Sequence, residues 1–168
     1  MSESAIIIHS DRLHEAIKNL RFPDEVLQKI LKRAVVQTAR WAKRRAATII
    51  GKSTKISGRV LGKRMQLDIK SAEHGYARIW MGLNPIKLGR LNPRKTSSGV
   101  KAGPMQITGG FIAKKQVFKR RGNKRLPIDR QELDIYPQAS EALSKMSEEV
   151  DAKLQENFDR AYEAIAYK

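Results

Sequence analysis

From Ala139 to Ile165 the apolar residues Ala139, Ala142, Leu143, Met146, Val150, Leu154, Phe158, Ala161, Tyr162 and Ile165 recur at three- and four-residue steps. Such a stripe predicts one long amphipathic helix over 137–168, introduced by Pro137. Its other face carries Glu141, Glu148, Glu149, Asp151, Glu156, Asp159 and Glu163, so the helix is anionic outside and needs an apolar partner within. A second stripe supplies that partner. Pro23, Asp24 and Glu25 suit the start of a helix, and Leu27, Ile30, Leu31, Ala34, Val35, Thr38, Trp41 and Ala42 follow at helical spacing. Lys29, Arg33, Arg40 and Arg44 repeat on another face, and Gly51 is expected to end this helix as its C-cap, beside Lys43, Arg44, Arg45 and Lys52.

Residues 1–22 predict a short strand from Ala5 to His9 and a short helix from Ser10 to Leu20, capped by Ser10 or Asp11. Residues 53–64, punctuated by Gly58 and Gly62, read as a basic loop or the approach to a strand. Met65 to Ile69 alternates apolar and polar residues, Ala77 to Leu83 is strand-like, and His74-Gly75 forms the turn between them. Asn84 to Pro104 reads as a long loop, broken by Asn-Pro, Ser-Ser-Gly and Gly-Pro; Met105 to Ile112 and Gln116 to Lys119 read as two further strands. The fold class that follows is α+β: a small antiparallel sheet with a basic hairpin or loop, packed by a long N-terminal helix and a long C-terminal helix. With 168 residues the chain suits a single domain, divided into 1–22, 23–52, 53–136 and 137–168.

Charge is distributed unevenly. The 34 Lys and Arg outnumber the 17 Asp and Glu, for a formal net charge of +17. Residues 1–22 are neutral, 23–52 carry +6, 53–138 carry +14 and 139–168 carry −3. A chain so basic attracts polyanions, whether nucleic acid, an anionic membrane or an acidic protein. The longest aliphatic run near the start, Ala5 to Ile8, is far too short for an export signal or a membrane span, so no membrane partner is expected. The absence of Cys excludes disulfides, thiolate metal sites and Cys nucleophiles.

Chemistry-bearing constellations are sparse. Gly51-Lys52-Ser53-Thr54 matches the end of a phosphate-binding loop, but Ala46 stands where the earlier glycine belongs and the segment closes a helix instead of opening one. His9, His14 and His74 lack metal-ligand spacing, and no cofactor is expected. Asp129, Glu132 and Asp134 are read as solvated or paired with nearby Arg. The run from Lys119 to Arg125 puts five cations in seven residues around a Gly-Asn turn, a tip able to meet phosphates; Phe118 is the aromatic that flanks it, which argues against base stacking. Trp41 and Trp80 lie on apolar stripes and are read as core or interface residues.

The stretch Gly109 to Ile128, GGFIAKKQVFKRRGNKRLPI, resembles the tailed-bacteriophage minor tail protein Z family and the wider group of phage tail completion proteins. The flanks agree: a long helix ending in a basic cluster, the strand containing Ala77 to Ile79, and a long C-terminal helix, so that the likeness extends over about Leu27 to Lys168. Phe111, Val117, Phe118, Arg120, Gly122, Arg125, Leu126, Pro127 and Ile128 match as motif positions with a structural role. The resemblance implies a virion protein at the head-proximal end of the tail or the neck, assembled in the host cytoplasm as a ring, six-fold on this reading. Its implied partners are the tail terminator or tube, the head connector proteins and double-stranded DNA held non-specifically in the lumen. No catalytic residue is implied.

Six copies would carry an excess of roughly +100, which demands a polyanion or acidic neighbours within a Debye length of about 8–10 Å. The cations expected to meet them are Arg40, Arg44, Arg45, Lys55, Arg59, Lys63 and Arg64, together with Lys119, Arg120, Arg121, Lys124 and Arg125. The acidic helix is left for contacts between proteins. The rival reading is a free-standing basic nucleic-acid-binding protein of ribosomal or chromatin type. A small nuclease would need a metal or general-base constellation that the sequence lacks.

Overall fold

The computed structural model describes residues 3–11, 13 and 22–166. Two 31-residue helices frame it, α1 (Asp24–Thr54) and α3 (Tyr136–Ala166), with the short helix α2 (Gly58–Gly62), two 3-10 turns and eleven strands making up most of the other regular structure among the described residues. Contacts run in opposite order along the two long helices: Phe22, just before α1, meets Tyr162, Thr38 meets Asn157 and Arg45 meets Glu149. The pair is therefore antiparallel. Buried positions on them are often alanine (Ala34, Ala39, Ala42, Ala46, Ala139, Ala142, Ala161), small enough for close approach of two helix axes. Within that apolar seam Asn157 Nδ2 donates to Thr38 Oγ1 at 2.9 Å, so two buried polar side chains satisfy each other.

Pro23 caps α1 and the acids Asp24 and Glu25 fill its first turn, as the sequence predicts. The expected end at Gly51 is wrong: the helix continues to Thr54, and Lys55 is the residue that turns left-handed, with φ 54°. A Cβ at Gly51 would lie 2.9 Å from the Ile56 carbonyl oxygen, so this glycine makes room for the returning chain and does not stop the helix. Residues 53–64 are correspondingly less loop-like than expected. Ser53 and Thr54 complete α1, and α2 follows with Leu61 fully buried.

The first sheet has the order β1-β3-β2, built from β1 (Glu3–His9), β2 (Met65–Asp68) and β3 (Tyr76–Gly82). Ile6 pairs with Ile79 and Ile8 with Ala77, and these buried residues pack toward the long helices with Met65 and Met81. The predicted turn at His74-Gly75 is present as a 3-10 turn (Ala72–His74) closed by Gly75 at φ 77°, where a Cβ would collide with Ser10 Oγ at 1.8 Å. Of the expected helix from Ser10 to Leu20, Ser10 precedes the first helical residue, Asp11 and Leu13 are helical, and residues 12 and 14–20 lie outside the described residues.

The expected long loop from Asn84 to Pro104 is folded. Strand β4 (Ile86–Lys87) pairs with β11 (Glu132–Leu133), a 3-10 turn covers Leu88–Arg90, and β5 (Arg94–Thr96), β6 (Gly99–Ala102) and β7 (Met105–Thr108) form an antiparallel meander. Leu88, Leu91, Val100, Ala102 and Ile107 are buried and supply the reason: this segment contributes to the core. A second meander follows, β8 (Gly110–Ala113), β9 (Gln116–Arg120) and β10 (Ile128–Arg130). The fold is thus α+β, with two long helices and four small antiparallel sheets, the first of which packs on the helices. No helix among the described residues is long and apolar enough to cross a membrane.

Candidate polyanion interface

The cations singled out by sequence fall in three places. On α1, Arg40 and Arg44 are exposed. Arg45 differs: its Nε donates to Glu149 Oε2 at 2.8 Å and its Nη2 to Oε1 at 3.1 Å, a two-pronged pair between the long helices. Those bonds hold the Glu149 carboxyl below its ordinary range and the guanidinium above its own. Arg45 is thereby engaged within the chain. The acidic face of α3 is also partly engaged at home, since Glu141 accepts from Lys145, and Glu156 from Lys153 and Arg160.

The second place is the tip between β9 and β10. Phe111 and Phe118 sit directly opposite on paired strands with ring centroids 6.0 Å apart, and the Arg120 guanidinium lies 5.8 Å from the Phe111 centroid. Arg121 Nε donates to Asp129 Oδ2 at 2.7 Å, and its backbone N–H donates to the Pro127 carbonyl at 3.2 Å. Asp129 is accordingly held below the usual carboxylate range by the Arg121 bond. Glu132 accepts from Arg130 at 3.0 Å, while Asp134 accepts from the Tyr136 N–H and caps α3, so two of the three acids expected to be solvated or paired with Arg are paired. Lys119, Lys124 and Arg125 are exposed and have no carboxylate partner among the described residues. Of the other motif positions Val117 is buried, Gly122 is exposed, Leu126 is 68% exposed before a cis bond to Pro127, and Ile128 opens β10.

The third place runs from the end of α1 through α2 to Arg64. Lys55, Arg59 and Lys63 are exposed, whereas Arg64 is half-buried: its Nε donates to the Gly82 carbonyl at 2.9 Å and its Nη2 to the Asn84 carbonyl. Burial and the neighbouring Arg90 push the Arg64 guanidinium down from its ordinary value. Arg64 and Arg90 share the wall of a recess of about 290 Å³, with Lys87 and Trp80. Trp80 lies along its own strand over Gly82, where a Cβ would come within 3.1 Å of the indole. The tryptophan read as core or interface is thus half-buried in a cationic recess, while Trp41 packs against the core.

Lys87, Arg90, Arg94 and Lys115 are the cations that sequence reasoning did not single out. A signal was there to find: the 55 residues from His74 to Ile128 contain 13 Lys and Arg and no Asp or Glu. Gly51 to Thr54 lies in the last turn of α1, which is no place for a phosphate-binding loop. Among the described residues no group of three His, Asp or Glu is placed to hold a metal ion.

Fold and surface together define an α+β protein whose strand region presents cations with few counter-charges. Comparison with protein-family models, curated proteins and solved structures gives no match.

Proposed function

We propose that the chain is a structural virion protein of a tailed phage, a tail completion or neck component that forms a ring, six-fold on this reading, and joins tail to head connector around the DNA channel. One observation carries the reading: the Gly109 to Ile128 stretch that resembles minor tail protein Z is a half-buried meander with an exposed tip, and that tip offers Lys119, Lys124 and Arg125 without a carboxylate partner among the described residues. Such a tip meets an acidic neighbour or DNA in an assembly, and head-to-tail contacts of this kind close into rings.

The test is complementation of particles that lack the protein. The double variant Lys124→Glu/Arg125→Glu, chosen because neither side chain supports the fold, is expected to melt like wild type yet leave heads and tails unjoined in negative-stain images. Fully infectious particles from that variant would refute the role given to the tip. The free-standing nucleic-acid-binding rival makes a different demand: the isolated chain would bind its target at roughly 10⁻⁸ M or tighter at physiological salt, as specific binders do.

A further inference from the structure

Three recesses join end to end on the strand region. Arg64 and Arg90 line both the first and the second, and Gly89 and Asn92 line both the second and the third. Their volumes are about 290, 520 and 420 Å³. Along this run the charged groups are Lys87, Arg64, Arg90, Lys63, Arg94 and Lys115, and the lining contains no carboxylate. Glu132 stands across the β4–β11 pair from Lys87, but its carboxylate already accepts from Arg130.

We propose that this run is a binding track for the phosphodiester backbone of a nucleic-acid duplex. Arg64 is fixed by two backbone carbonyls, which use two of its five N–H donors and leave the rest for a ligand. Arg90 beside it adds a second like charge that the fold itself does not neutralise. Two guanidiniums held together without an acid make an anion hole, and Arg forks match phosphate oxygens in pairs. The extension from Lys87 to Lys115 suits a polymer with a charge at every repeat. A folded protein partner would need a continuous apolar, desolvated centre, whereas the apolar lining here is divided among the three recesses (Trp80 and Pro85, Val60 and Ile86, Pro93 and Ile112), with cations in each. Phosphate contact without base readout is sequence-independent.

This proposal deepens the tail reading and rests on it for the choice of duplex DNA as ligand; its test is nevertheless made on the isolated chain. In a Trp41→Phe background Trp80 is the sole indole, and its emission is followed while a 20-base-pair duplex of arbitrary sequence is titrated at several salt concentrations. The expected result is a saturable change with a dissociation constant of roughly 10⁻⁴–10⁻⁶ M, the range of non-specific binding. Lys87→Ala/Arg90→Ala should weaken binding about tenfold or more and flatten the slope of log K against log salt by about 2, one phosphate contact per cation removed. Lys124→Ala/Arg125→Ala should change it less than about twofold. Circular dichroism confirms that each variant is folded, and Lys87→Arg/Arg90→Lys, which keeps the charge, should restore most of the binding.

Equal weakening by the tip variant, a duplex that binds while Trp80 stays silent, or a response to polyglutamate as strong as to duplex would overturn the track. So would inorganic phosphate acting as well as duplex at matched phosphate concentration. Any of these, found with a tip variant that still blocks head–tail joining, would sink the track and leave the tail reading standing.

Discussion

Arg45 and Arg90 are the same residue type in two regions that treat it oppositely. On the helical frame Arg45 stands opposite an acidic helix and is neutralised by Glu149. In the strand region Arg90 stands beside Arg64, in a stretch of chain with no acid at all. The frame sets part of its charge against its own acids and buries alanines on both long helices; the strand region, held by small sheets, pairs few of its cations. Net charge by segment therefore identifies a basic region, but the counter-charge geometry decides which cations are available to a partner.

The sharpest way to separate the regions is to damage each one. Ile50→Ala, at a fully buried position on α1, should cost about 2–5 kcal/mol and lower the midpoint of urea unfolding for the whole chain. Gly99→Ala strikes the other region: φ is 148°, and a Cβ would meet the Ile107 carbonyl oxygen at 2.1 Å. Its expected cost is about 1–3 kcal/mol, with amide exchange rising across β5, β6 and β7 while α1 and α3 remain protected. If the long helices lost protection to the same extent, the two regions would be one cooperative unit and the contrast between them would fail.

Much of the frame was legible because helical periodicity is local: Ala139 to Ile165 and Leu27 to Ala42 each state their own buried face. The strands from Ile86 to Ala102 were not, because they are two to four residues long, too short for an alternation to show, and β4 exists through a partner far away in sequence, Leu133 opposite Ile86. Gly51 misled because a glycine that ends a helix and a glycine that admits a returning carbonyl look alike in sequence. The candidate track was hidden for a related reason. Lys63 and Arg64 meet Arg90 only after the chain has run through β2, β3 and β4, although the acid-free stretch around Arg90 was visible from the start.

Finer tests address the helical frame. Asn157→Ala removes the buried hydrogen bond to Thr38 and should destabilise by about 1 kcal/mol in thermal melts, with little change in the strand region. Glu149→Gln should do less still, because the Arg45 pair is largely exposed. Its signature is in pH. The Glu149 carboxyl is held below its ordinary range in the folded chain, so the stabilisation it gives is present above about pH 4.3 and is lost as pH falls through the depressed value. Wild type should therefore lose stability over that acid window slightly more steeply than Glu149→Gln, measured as melting temperature against pH at low salt.

The antiparallel helix pair also has a mechanical side. At 1.5 Å per residue, 31 residues make a strut of roughly 46 Å, against the ~30 Å breadth of a small domain. The Phe22–Tyr162 contact marks one end of that strut, and α2, returning beside the last turns of α1, leads the chain into the Arg64 recess at the other. The helix pair is accordingly a spine: the first sheet packs along it, so a load taken at the Arg64 recess passes into the longest element of the fold.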